Sequence, residues 1–113
     1  MLRHKVVLIR GEGMGQGNDE LGMLLLTNFL RMLGEKDEFV PRMIFLLNHG
    51  VKIACQGSPM LAHLTKLVEK GTNLLLCKTC LEYLELTDQV AVGKVGGMND
   101  FIQQASLYEV VTV

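Results

Sequence analysis

The chain has 113 residues, 49% of them hydrophobic and 20% charged, with a formal net charge of −1. That size and balance predict one domain, residues 1–113, that builds its core without staples. There is no basic run to suit a nucleic-acid partner, and no apolar stretch reaches the roughly 18 residues that a membrane helix needs.

Strand and helix patterns alternate along the chain. The run Lys-Val-Val-Leu-Ile-Arg at 5–10 is short and continuously apolar, as a strand buried in a parallel sheet should be. A glycine-rich loop follows, with Gly11, Gly13, Gly15 and Gly17. Asn18 then suits a helix cap, with Asp19 and Glu20 in the first turn to match the dipole. Leu21, Leu24, Leu25, Asn28, Phe29, Met32 and Leu33 recur at helical spacing and predict the packed face, and Gly34 predicts the stop.

Pro41 opens a second strand over 42–47. Asn48, His49 and Gly50 form a loop into 51–55, a short apolar stretch that fits either a strand or a turn. Ser58-Pro59 predicts the next helix start, with Leu61, Leu64, Leu67 and Val68 on one face and Gly71 at its end. A third strand is expected over 73–77, a short helix over 81–86, a fourth strand over 90–92, a helix over 98–105 and a fifth strand over 108–113. This alternation predicts an α/β fold of three layers: a mostly parallel five-stranded sheet with helices on both faces. With no Trp and few aromatics, its core must be Leu, Val, Ile and Met. Seven Met residues suit an adaptable core or an apolar surface that meets a partner.

Three cysteines make an odd number without a disulfide-rich pattern, and the apolar run at the amino end is too short for a secretory signal. The expected location is the cytoplasm, with the thiols reduced. The densest chemistry lies at Cys77-Lys78-Thr79-Cys80, directly after Leu74-Leu75-Leu76. A strand that empties into two cysteines places thiols at its carboxyl end, where open parallel sheets bind ligands.

Several chemistries compete for this Cys-x-x-Cys. Zinc requires four ligands, and Cys55, His4, His49 and His63 form no second tight pair, so no metal is expected. A dithiol redox site fits the position between strand and helix. A persulfide carrier requires one accessible thiol of low pKa, which a helix start and the Lys78 cation would favour. Two small apolar residues at a strand end are the structural alternative. His49 follows the second strand at the same edge of the sheet and is a candidate neighbour. The glycine loop matches neither Gly-x-Gly-x-x-Gly nor a Walker loop, and Glu12 would repel a phosphate, so no nucleotide cofactor is expected.

Five segments, in order, resemble a known family. Residues 13–22, Gly-Met-Gly-Gln-Gly-Asn-Asp-Glu-Leu-Gly, resemble the first loop and helix start of the DsrE/DsrF-like, TusD-related sulfur-relay proteins. Asn48-His49-Gly50-Val51-Lys52 is similar to the Asn-x-Gly-Val-Lys turn found in the C-terminal domain of YedF-type proteins linked to selenium metabolism. Gly57-Ser58-Pro59 continues the match. Cys77-Lys78-Thr79-Cys80-Leu81 is similar to that group's Cys-Gly-Thr-Cys-Leu, and Gly93 with Met98-Asn99-Asp100 to its closing stretch.

The resemblance implies a five-stranded DsrE-like sheet, sulfur handling without a cofactor, and a homo-oligomer, commonly a trimer or hexamer. In the family a single Cys after the fourth strand carries persulfide, with 51–55 as the source of the extra strand here. Either Cys77 or Cys80 aligns with it; Cys80 is favoured, because Cys77 lies closer to the buried strand. Gly15, Asn48, Gly50, Lys78 and Thr79 would supply the site's walls. Lys78 departs from the family's Gly and changes the freedom of the turn. The group's usual N-terminal carrier domain is not within these residues, so the sulfur donor and acceptor are expected to be other proteins. Two other readings stand beside sulfur relay: a non-catalytic oligomeric binding module, and a dithiol redox protein.

Overall fold

The computed structural model describes residues 1–113. Its elements are β1 (Lys5–Ile9), α1 (Asp19–Leu33), β2 (Met43–Leu46), α2 (Leu61–Glu69), β3 (Asn73–Cys77), α3 (Lys78–Tyr83), β4 (Lys94–Gly96), α4 (Met98–Leu107) and β5 (Glu109–Thr112). The strands form one five-stranded sheet in the order β4-β3-β2-β1-β5, and every pairing is parallel.

The order fixes the layers. From β1 through β4 each crossover steps the same way, whereas α4 carries the chain back from one edge to the other. Right-handed crossovers therefore put α1 and α2 on one face and α4 on the other. Register agrees with this. Leu8, Phe45 and Leu75 lie in one row across three strands, and Phe101 of α4 packs on Phe45 with ring centroids 5.2 Å apart. All four β2 residues are buried, so this central strand is apolar throughout instead of alternating.

Four elements differ from their expected form. The apolar trio at 90–92 is not a strand: Val90 makes a single antiparallel bridge to Cys55, and Ala91 N–H donates to the Ala54 carbonyl at 2.9 Å. Gly93 then turns with φ +88° against Leu74, where a Cβ would come within 2.9 Å of the leucine side chain, and β4 starts one residue later. The stretch after Leu47 is also not a strand. It is a 3-10 turn, Asn48–Ala54, that buries Val51, Ile53 and Ala54. Five strands are reached without it, and the cysteines follow the third strand in the chain, not a fourth.

Helix α1 is rotated from the expected face. Gly22, Leu26, Leu30 and Leu33 are buried, while Leu21, Leu24, Leu25 and Met32 are exposed. The two leucine series share one period, and both have helical spacing, so periodicity could not choose between them. Finally, α3 begins at Lys78, immediately after β3 and three residues before the expected start. Asn18 caps α1 as predicted, its side chain accepting the Leu21 N–H at 2.8 Å, and Gly34 closes the helix.

Candidate functional site

The site grows from the carboxyl end of β3. Cys77 is the last strand residue and the N-cap of α3, its sulfur accepting the Cys80 N–H at 3.3 Å. A thiol here does the work more often given to Ser or Asp. Because one turn of helix separates them, Cys77 and Cys80 are neighbours in space as well as in sequence. Cys77 is buried, at 4% exposure, and Cys80 is partly exposed.

The two thiols differ in their surroundings. Burial pushes the Cys77 thiol above its ordinary value of 9.0, and the adjacent Cys80 side chain adds to the effect. The Cys80 and Thr79 backbone N–H groups pull the other way but do not offset burial. The expected lowering by Lys78 and the helix start therefore fails at Cys77. Helix α3 has only six residues, and Cys77 lies in the apolar core cluster, so desolvation dominates.

Cys80 has a different partner. Its sulfur accepts the backbone N–H of Asn48 at 3.0 Å, from the turn that follows β2. Asn48 reaches this position in a left-handed conformation, φ +53°, which Asn tolerates better than most residues. Its side chain holds the turn by accepting the His49 N–H at 2.9 Å. Gly50 seats the turn from below: its N–H donates to the Leu47 carbonyl at 2.9 Å, and a Cβ there would collide with the Ile9 carbonyl oxygen. Any side chain at 50 would push the loop off the end of β1. Thus Asn48 and Gly50 do belong with the cysteines, one by direct contact and one by support.

Lys78 and Thr79 are exposed on the first turn of α3, and Lys78 makes no ion pair. Gly15 is placed elsewhere. It lines a separate cleft of about 340 Å3 with Gly11, Asn18 and Gly22, to which no residue of 77–80 contributes. The glycine loop has a packing role there. Met14 N–H donates to the Gly22 carbonyl at 2.9 Å, and a Cβ on Gly13 would stand 3.0 Å from the Gly22 backbone. His49 is exposed, and it joins the turn through its backbone N–H, which donates to Asn48 Oδ1. Cys55 is buried; its thiol donates to the Val51 carbonyl at 3.3 Å, and burial raises its pKa. No three His, Cys, Asp or Glu side chains converge into a metal-holding group.

The partner that the sequence missed as a direct contact is the Asn48 N–H itself. A main-chain donor leaves no residue-type signal; only the Asn-x-Gly pattern marked the turn. Neither Cys77 nor Cys80 lines any of the principal clefts, and Cys80 is partly exposed. No helix is long and apolar enough to cross a membrane.

No family model and no curated protein matches the sequence. Solved structures do match the fold. YchN from E. coli aligns over 97% of this chain and 99% of its own, with a TM-score of 0.72 at 15% identity. MTH1491 from Methanobacterium thermoautotrophicum, a protein of unknown function, gives 0.68 at 20% identity over 97% and 99% of the two chains. BT1422 from Bacteroides thetaiotaomicron, also of unknown function, gives 0.67 at 13% over 97% and 95%. At these identities the likeness is one of architecture, and the architecture of this chain is the DsrE/DsrF-like α/β fold.

Proposed function

We propose that the protein is a cytoplasmic sulfur-relay component that carries a persulfide on Cys80, akin to the C-terminal domain of YedF-type proteins. The observation that carries this reading is the Asn48 N–H aimed at a partly exposed Cys80 sulfur, beside a second cysteine that is buried. A main-chain donor favours negative charge on the sulfur it faces.

The Cys80 thiolate attacks the outer sulfur of a donor protein's persulfide. A new S–S bond forms on Cys80, the donor's S–S bond breaks, and the donor leaves as a thiolate that takes up a proton. An acceptor thiolate then repeats the exchange on the sulfur carried by Cys80. If Cys77 instead attacks the Cys80 sulfur, a Cys77–Cys80 disulfide forms and hydrosulfide leaves. The two thiols are then oxidised by two electrons, and the sulfane sulfur is reduced. Burial raises the Cys77 pKa and lowers its thiolate fraction, which disfavours this release relative to handing on.

A second reading rests on α1. Leu21, Leu24, Leu25 and Met32 are exposed on one helix, which suits a homo-oligomeric binding module in which subunits cover that face. The two readings are separated by intact-protein mass spectrometry after incubation with a cysteine desulfurase and cysteine. A gain of one sulfur, about 32 Da, lost in Cys80→Ser and only weakened in Cys77→Ser, is the expected result. No gain in the folded, reduced protein would leave the binding module.

A further inference from the structure

The amino ends of the strands form the pole of the molecule opposite the cysteines. There Arg3, Arg42 and Lys70 share one cleft of about 750 Å3 with Asp37, Asn73 and Gln104. The volume falls within the range of small-molecule sites, roughly 300–1,000 Å3, but the lining is mostly polar. Three cations face a single carboxylate, in a chain whose net charge is −1.

Part of this charge has a local explanation. Lys70 caps the carboxyl end of α2, where helix carbonyls favour a cation. Its ion pair with Asp37 is long, 3.6 Å, and the carboxylate is 92% exposed. Arg42 has no such explanation, since it precedes a strand. Its guanidinium is nevertheless held in place. Nε donates to Gln104 Oε1 at 3.2 Å, and the group lies over the Tyr108 ring, 4.2 Å from its centroid. The terminal Nη amines make no bond within the protein, and Arg3 makes no ion pair.

A guanidinium fixed on its inner side, with its outer amines free, is preorganised for a planar pair of oxyanion oxygens. Added cations favour a dianion over a monocarboxylate. We propose that this cleft binds a phosphorylated small molecule, with its phosphate on Arg42 and with Lys70 and Arg3 neutralising the remaining charge. The site is independent of the sulfur chemistry at the other end of the sheet.

The test is a titration with pyrophosphate, followed by amide chemical shifts of the full chain, with sodium chloride at matched ionic strength and succinate as controls. Saturable shifts confined to residues around 3, 42, 70, 73 and 104 are expected. Arg42→Gln should weaken binding about tenfold or more, the size of one lost charge-assisted contact. Lys70→Gln should weaken it in the same direction without touching the Tyr108 stack, and Cys80→Ser should bind as the parent does. Shifts that do not saturate, affinity as tight as the parent's in both cleft variants, or succinate binding as tightly as pyrophosphate would overturn the proposal.

Discussion

The backbone N–H of Asn48 meets the sulfur of Cys80 at 3.0 Å, joining the turn after β2 to the first turn of α3 across 32 residues of chain. The contact depends on backbone conformation, so its sensitivity to mutation is unusual. Asn48→Gly keeps both the donor and the left-handed turn, and should load sulfur nearly as the parent does. Asn48→Val forces a β-branched residue into φ +53° and should cost about 1–3 kcal/mol, with slower loading. Urea unfolding and the rate of mass gain measure the two effects separately.

Gly50→Ala should be worse than either. Its Cβ collides with the Ile9 carbonyl, backbone that cannot turn aside, so the whole 48–50 turn must move. The expected outcome is destabilisation of about 2 kcal/mol or more, with Cys80 alkylated at an altered rate. A variant as stable as the parent, with unchanged thiol kinetics, would show that the turn is not pinned on β1.

The three thiols should react in order of exposure. Iodoacetamide on the native protein should modify Cys80 first, with Cys55 and Cys77 reacting only after denaturation. Peptide mapping after brief labelling gives the order.

Stability should fall in alkali. The thiols of Cys55 and Cys77 have pKa values raised above 9.0 in the folded protein. The unfolded chain therefore releases these protons at lower pH than the native state does. Their contribution is full below the ordinary thiol value and is lost as pH rises through the raised folded values. Urea midpoints should decline as pH rises from about 7 to about 10.5, through the ordinary thiol value of 9.0, and Cys55→Ala should decline less steeply.

The exposed face of α1 makes a prediction about assembly. Leu24→Glu with Leu25→Glu should leave the protomer's stability within about 0.5 kcal/mol, because neither side chain is in the core. Sedimentation should show the parent above one protomer's mass and this variant at it. A parent that sediments as a single protomer would remove the oligomeric reading.

The sheet was legible because buried parallel strands are continuous apolar runs. Asn73–Cys77 matches its expected bounds, and β1, β2 and β5 differ from theirs only at the ends. The apolar stretches 51–55 and 90–92, neither of which is a strand, share a cause. Val90, Val92 and Val51 pack against the core from outside the sheet, and such packing imitates a strand in a short window. On α1 the leucines outnumber the positions that the core can accept, so the face was set by contact with the sheet, not by pattern. At the site, the pairing of Cys77 with Cys80 was readable from spacing. The inward turn of Cys77 followed from its place at the strand's end. Gly15 was placed beside the cysteines as a wall of the site on the strength of the family resemblance, whereas its loop folds back over the start of α1.

The strand order has a consequence for how the molecule assembles. The last strand lies beside the first: Lys5 pairs with Glu109, Val6 with Val110, and Val113 N–H donates to the Leu8 carbonyl at 2.9 Å. A ribosome releases β1 long before β5 exists, so one side of β1 must wait with its hydrogen-bonding groups open while everything between is made. Local pairs of β1 with β2 and β2 with β3 can form early, but closing the sheet requires the most distant contact in the chain, and such contacts set slow folding. The waiting edge is the point at which two nascent copies would pair by mistake.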